Sequence, residues 1–371
     1  MKVRTAFVSF VALAASATLA GCSPPSDDDS SSSSDAASAT SVDDFGTMDD
    51  LVKAAQDEGE LNVIALPPDW ANYGNIIKAF EDKYDITVNS DQPDVASQDE
   101  INAAKQLEGS DRAPDVFDLG QSVALANTDL FAPYQVSTWD DIPAEFKDPD
   151  GAWVNDYGGF MSVGYDSSKV PEVTSLDDLL GSEFKGKVAL NGDPTEAGAG
   201  FSGVVMASVA NGGSADDIAP GVDYFAKLKD AGSFIPVDPT SATIESGQTP
   251  VVFDWDYLNA AESAKLDNWK VYVPEEAPIA GYYFQAINKD APHPAAARLW
   301  EEFLYRDEGQ NLWLAGGARP VRAEAMAEAG TIDKAEYDAL PKVSGKPVIP
   351  TNAQTEKMAA YLADNWAKAV G

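Results

Sequence analysis

The sequence predicts an α/β fold, on three observations. Short apolar runs of strand length, such as Leu61–Leu66 (LNVIAL) and Asp115–Leu119 (DVFDL), alternate with segments whose apolar residues recur at helical spacing. That alternation argues for a parallel sheet covered by helices. Hydrophobic residues make up 44% of the 371 positions, enough for substantial cores. A single cysteine leaves no disulfide to stand in for a core.

The elements follow in order. Thr47-Met48-Asp49-Asp50 is an acidic helix start, and Gly59 is its stop. Leu61–Leu66 is a strand, and Pro67 to Gly74 (PPDWANYG) is a loop. Ile76, Ile77, Phe80 and Tyr84 mark a helix, and Ile86–Ser90 (ITVNS) a strand. Ser97 with Glu100 reads as a capping box before Ile101, Ala104 and Leu107. Asp115–Leu119 is the third strand. Further on, Gly159–Tyr165 and Lys187–Leu190 read as strands, with a short helix opened by Ser175 and Asp178 between them. Asp193-Pro194-Thr195-Glu196 leads into a small-residue helix ending near Ala210. Pro250–Asp254 is a strand, and Trp255-Asp256-Tyr257 starts a helix. Lys270–Val273 and Tyr282–Asn288 are strands. Pro294–Tyr305 is an amphipathic helix carrying Leu299, Trp300, Phe303 and Leu304. A last helix carries Met358, Leu362 and Trp366.

Charge narrows the function. Lys and Arg number 25 against 61 Asp and Glu, a net charge of −36. Such a balance opposes nucleic acid and anionic lipid surfaces, so no nucleic-acid partner is expected. Enzymatic patterns are missing. His293 is the only histidine, flanked by Pro292 and Pro294, which leaves no Ser-His-Asp set. No HExxH, P-loop or dinucleotide glycine pattern occurs. The expectation is therefore a protein that is not an enzyme and needs neither cofactor nor resident metal.

The start of the chain says where it works. Lys2 and Arg4 precede a short apolar stretch, Ala6 to Ala20, built like a secretory signal peptide over residues 1–22. Leu19-Ala20-Gly21-Cys22 resembles the lipobox of bacterial lipoproteins, which implies lipidation at Cys22. Ser23 to Ser41 is low-complexity Ser and Asp, expected to be a flexible linker over residues 23–42. The expected location is the extracytoplasmic face of a cell membrane, held by an N-terminal lipid anchor. No later stretch approaches the roughly 18 apolar residues of a membrane span.

Three further segments resemble one family, the extracellular solute-binding proteins of ABC importers. Ser162 to Asp166 (SVGYD), Thr174 to Leu180 (TSLDDLL) and Phe184 to Val188 (FKGKV) are similar to a passage of the branch that binds iron, polyamines and related small solutes. Ala291 to Ala296 (APHPAA), Phe303-Leu304 and Asp307 to Gln310 (DEGQ) resemble that family's helix pair, and Gly317 to Val321 (GARPV) its following turn. The resemblance implies a two-lobed α/β fold with a central ligand cleft and two crossover strands. It places lobe 1 at residues 43–157 plus 283–325 and lobe 2 at 158–282 plus 326–371. It implies a small-molecule ligand and a membrane permease as partners, with the chain acting as a monomer.

Candidate cleft residues follow. Asp69, Trp70 and Tyr73 put a carboxylate and two aromatic faces on a loop after a strand, which suits an alkylammonium. Gln121 follows the third strand, where relatives place a cleft side chain. Glu196 stands at a helix start whose free N–H groups favour an anion, while its own carboxylate favours an amine. Asp254, Trp255 and Asp256 lie at a strand end and resemble the site where polyamine binders carry a cleft Trp. Tyr282-Tyr283 is similar to the adjacent tyrosines of ferric-ion binders, but neighbouring strand residues point to opposite faces. One of the two, Tyr283, is expected to face the cleft, with Gln285 on the same face. The ligand expected is a small amine-containing solute, polyamine or amino-acid-like. Ferric ion or its chelate is the alternative, and a chemoreceptor-presenting protein or a secreted hydrolase stands further off.

Overall fold

The computed structural model describes residues 36–340 and 347–371. Cys22, the segment 1–22 and the linker up to residue 35 lie outside the described residues.

Strands and helices alternate as the apolar spacing requires. β1 (Glu60–Ile64) and β2 (Thr87–Asp91) form a parallel pair, with α1 (Met48–Glu58) before β1 and α2 (Tyr73–Tyr84) between the strands. Thr47 caps α1 by accepting the Asp50 N–H at 3.2 Å, and Gly59 ends it at φ 78°, where a side chain would be strained. α3 (Ser97–Gln106) leads to β3 (Val116–Leu119), then α4 (Gln121–Ala126) and β4 (Phe131–Ala132).

β5 (Val154–Asp166) is the longest strand and changes partners along its length. Its first part, Val154 to Phe160, pairs antiparallel with β9 (Ala280–Asn288). Its second part, Met161 to Tyr165, pairs antiparallel with β7 (Val251–Trp255). β6 (Val188–Leu190) lies parallel to β7, β8 (Trp269–Tyr272) lies along β5, and β10 (Arg319–Pro320) pairs with Gly158 and Tyr157. The sheet order is β3-β9-β5-β7-β6. Two lobes result, joined by β5 and β9. The sheet is mixed rather than parallel, because both joining strands run against the neighbours they pair with.

Glycine makes the junction possible. A Cβ on Gly158 would lie 2.0 Å from the Gly281 carbonyl oxygen, and one on Gly159 2.4 Å from an Asp256 carboxylate oxygen. At Gly158 the two backbones approach more closely than any side chain allows, and at Gly159 the space is taken by Asp256 and Tyr257.

The second lobe carries α5 (Gly198–Ala210), α6 (Ala219–Asp230), α7 (Ser241–Ser246) and α8 (Asp256–Lys265). α5 is apolar almost all round and is buried between β7 and α6, which explains its small residues. α9 (Pro294–Leu304) and α10 (Asp307–Ala315) pack on the first lobe. There Trp300 and Phe303 meet Phe80, with ring centroids 5.1 and 5.6 Å away. α11 (Ala323–Ala329), α12 (Lys334–Ala339) and the terminal α13 (Asn352–Val370) complete the chain.

The expected flexible linker is too long by several residues. Ala36 and Ala39 are buried, and residues 36–38 form a helical turn. The cause is Arg298 on α9, itself 1% exposed. Its guanidinium donates to the carbonyls of Ala37 and Ala39 at 2.8 Å and of Pro294 at 2.9 Å. Arg298→Met is expected to leave those carbonyls unpaired and cost about 3 kcal/mol. Thermal melting combined with proteolysis of the segment before Phe45 checks this. Both the lower melting temperature and the faster cleavage are required.

Candidate ligand-binding cleft

A cavity of about 690 Å³ opens between the lobes. The first lobe contributes the loop after β1 with Asp69 and Trp70, the start of α3, and Asp118 from β3. The second contributes Asn191 to Asp193, Glu196 to Ala199, residues 238–242, Asp254 from β7, and Leu258, Asn259, Ala261 and Glu262 on α8. Tyr283 of β9 lies between them. Carboxylates enter from both sides, and among the described residues no Lys, Arg or His lines the cavity.

The lobes touch across it. The Gln98 N–H donates to the Glu196 carbonyl at 3.3 Å, and Ser241 Oγ donates to Asp69 Oδ2 at 3.1 Å. A Cβ on Gly120 would lie 2.6 Å from the Gly198 Cα. At the rim, the Lys265 ammonium donates to Glu262 Oε1 at 3.0 Å and stands 3.7 Å from Asp69 Oδ2. This is a closed arrangement, held by polar contacts and by one glycine pair.

The floor is aromatic. Trp70 donates its indole N–H to Tyr157 at 2.7 Å and meets the Tyr283 ring edge-on, with centroids 5.7 Å apart. Tyr283 stacks on Tyr157 at 5.5 Å and accepts the Trp255 indole N–H at 3.3 Å. Asp118 Oδ2 accepts the hydroxyls of both Tyr73 and Tyr157 at 2.9 Å. Gln285 donates to the Tyr73 hydroxyl and to Asp156 Oδ2 beneath.

Among the described residues, three buried carboxylate oxygens on residues that line this cavity have no partner. They are Oδ1 of Asp118, Oε1 of Glu100 and Oε2 of Glu262, each buried and without a hydrogen bond. A buried acceptor left unpaired is costly, so such groups call for a donor. Burial holds Asp118 and Asp254 up at about 7 and pushes Glu100 well above the usual carboxylate range. Tyr73 and Tyr157 hydroxyls oppose that rise at Asp118, as does Asn191, 2.9 Å from Asp254, at the other wall. A pH dependence follows from Asp118 and Asp254. Their folded pKa values of about 7 lie above the ordinary value of 3.8, so the stability they contribute is full below 3.8 and is lost as pH rises through about 7. Thermal melts of the ligand-free protein are expected to fall from pH 5 to pH 8. The double variant Asp118→Asn, Asp254→Asn should flatten that fall.

The structure brings together Asp69, Trp70, Glu196, Asp254 and Tyr283 as lining residues. Five other expected residues sit elsewhere. Tyr73 is fully buried under the floor, its ring edge-on to Tyr157 and Trp313. Gln121 faces the end of the chain, donating to the Pro350 carbonyl at 3.2 Å and to Asn352 at 3.1 Å. Trp255 is 3% exposed behind Tyr283 and stacks on Tyr257. Asp256 is turned away from the cavity, where burial raises its carboxyl to about 6 against the Phe160 and Tyr257 N–H groups that it accepts. Gln285, 1% exposed, links Tyr73 to Asp156. Neighbouring strand positions alternate in direction, so Asp254 reaches the cavity while Trp255 packs behind it. Tyr282 packs on Phe146, with centroids 4.7 Å apart, on the face of β9 opposite Tyr283.

Asp118, Glu100 and Glu262 were not anticipated. Ser97 and Glu100 do not cap α3, where the Asp99 carboxylate accepts the Ala96 N–H instead. Ser97 Oγ accepts the Gly120 N–H and Glu100 Oε2 the Asp118 N–H, both at 3.0 Å. The two side chains steady the end of β3. Asp118 had one signal: it is an acid near the carboxyl end of an apolar strand, where α/β sheets place ligands.

Residues 114–345, well over half the chain, match the family model of the bacterial extracellular solute-binding proteins. The chain belongs to that family. Its members are substrate-binding transport proteins of ABC transporters rather than enzymes, with a small-molecule ligand and a permease partner. No curated protein matches. Among solved structures, the periplasmic binding protein P5PA aligns at a TM-score of 0.66 and 19% identity, over 84% of this chain and 100% of that one. A putative spermidine/putrescine ABC transporter protein from Listeria monocytogenes aligns at 0.63 and 14%, over 84% and 98%. Iron-bound HitA from Pseudomonas aeruginosa aligns at 0.60 and 20%, over 84% and 99%. At these identities the likeness concerns the two-lobed fold alone. Among the described residues no group of three or more His, Cys, Asp and Glu could hold a metal, and no helix is long and apolar enough to cross a membrane.

Proposed function

We propose that this solute-binding protein captures a small solute carrying at least one protonated amine, and delivers it to the permease. The observation that supports this most is the set of buried, unpartnered carboxylate oxygens on Asp118, Glu100 and Glu262, three residues lining a cavity that has no basic side chain among the described residues. An ammonium or guanidinium supplies both the positive charge and the N–H donors that those oxygens lack. Trp70 and Tyr283 offer aromatic surface to its alkyl or ammonium part.

A ferric reading finds less support. Two phenolates must converge on the ion, yet Tyr282 and Tyr283 occupy opposite faces of β9. Burial also pushes the Tyr283 hydroxyl well above its ordinary range, which disfavours the phenolate.

In this reading lobe 1 is 43–157 plus 283–325 and lobe 2 is 158–282 plus 326–371, with β5 and β9 as the hinge. Ligand contacts to both lobes hold the closed form that a permease recognises. The domain acts as a monomer, tethered by lipid on Cys22 at the extracytoplasmic face.

Thermal-shift assays of the domain after Cys22 test the ligand class, using putrescine, spermidine, agmatine, γ-aminobutyrate and ferric citrate. A ligand at 100 times its Kd adds about 2.7 kcal/mol, a clear rise in melting temperature. A shift with an amine supports the proposal, and a shift with ferric citrate alone overturns it.

A further inference from the structure

The acids of the cavity floor continue into the first lobe, where Arg298 acts on Glu301 alone among those named below. Asp118 Oδ2 is bonded to the Tyr73 and Tyr157 hydroxyls, and the Tyr73 hydroxyl accepts from Gln285, whose amide also reaches Asp156. Each element packed around Asp118 brings an acid or a phenol. α3 brings Glu100, β5 brings Asp156, and β9 brings Tyr283. α9 adds Glu301, whose Oε1 is unpartnered, and α8 adds Tyr257. The nearest guanidinium on α9, Arg298, is spent on the carbonyls of the N-terminal segment. Carboxylates this close, buried and uncompensated cannot all be ionised together.

We infer that solute capture is a proton exchange: the Asp118–Glu100 floor holds a proton in the empty cleft and releases it to solvent when an ammonium takes its place. One carboxyl O–H breaks and its proton goes to water or buffer. The ammonium keeps its own protons and donates through N–H to the carboxylate left behind. No oxidant or further reactant is needed. The inference rests on the amine reading of the same cavity and adds the regulation of that site: affinity follows pH. Solute is held at neutral pH and loosened as the surroundings acidify. The direction fits the Asp118 carboxyl, which burial holds at about 7, so the exchange falls within the range a cell surface meets.

The test is isothermal titration calorimetry of the domain after Cys22 with putrescine, spermidine and agmatine, in phosphate and in HEPES at pH 6.5 and again at pH 8, where putrescine keeps its ammonium protons. The two buffers differ in their heat of protonation, so a released proton appears as a difference in measured heat. About one proton released per bound putrescine is expected at pH 6.5 and close to none at pH 8. Affinity should rise about tenfold per pH unit below 7 and then level off. Binding with equal heats in both buffers, and with flat affinity, would overturn the exchange while leaving the amine reading in place. No binding of any of the three amines would overturn both.

Discussion

Asp118→Asn is expected to weaken amine binding by about a hundredfold or more. The substitution keeps the shape and an oxygen for the Tyr73 and Tyr157 hydroxyls, which donate to Asp118 Oδ2 at 2.9 Å. It puts an NH2 group in place of the buried, unpartnered Oδ1 of a residue that lines the cavity. A donor then faces the donor of the solute, and one charge is lost. Removing a charge-assisted hydrogen bond and opposing it with a like dipole costs about 3 kcal/mol. Stability should hold or rise, because the variant also removes a buried ionisable group. Calorimetry with the amine that binds the native domain measures the effect, and an affinity within threefold of native would place the solute elsewhere.

Gly120→Val should cost at least tenfold in affinity by a different route. Gly120 precedes α4 with φ −62° and ψ 144°, a conformation open to any residue, so the fold of its own lobe tolerates a side chain. Its neighbours at Cβ distance are the Gly198 Cα at 2.6 Å, the Gly198 nitrogen at 2.9 Å and Ser97 Oγ at 3.7 Å. The first two belong to the other lobe. A valine therefore wedges the closed cleft while leaving the open protein intact. The melting temperature without ligand should stay near native. Small-angle scattering should show that saturating amine no longer compacts the variant as it compacts the native protein. Native affinity and native compaction would show that the Gly120–Gly198 contact is not part of the liganded state.

Much of the fold was legible, because it rests on local signals. Thr47, Gly59 and the apolar spacing of Ile76, Phe80 and Tyr84 place α1 and α2 within a few residues. Strand direction was not legible. Whether β5 runs parallel or antiparallel to β7 depends on where the chain returns after some ninety residues, which no local pattern encodes. The site was legible by chemistry but not by orientation. Asp254, Trp255 and Asp256 were singled out as one acidic and aromatic group, yet one residue of rotation along the strand decides that only Asp254 lines the cavity. Glu100 looked like half of a capping box, since the i, i+3 pattern is the same whether the carboxylate turns to its own helix or to a neighbouring strand. Glu262 gives no signal at all. It becomes a cleft residue because α8 starts directly from β7 and runs beside Ser241, to which Glu262 is hydrogen-bonded.

The most direct test compares an amine with its fully N-methylated form. Calorimetry of the domain after Cys22 would be run with putrescine and with its bis-trimethylammonium analogue, followed by ferric citrate. The two organic cations share charge and chain length, but only putrescine has N–H donors for Asp118, Glu100 and Glu262. Putrescine is expected to bind at least a hundredfold more tightly than the methylated form. Equal affinities, or binding of ferric citrate with neither cation, would contradict the assignment of those three carboxylates as the groups that hold the solute.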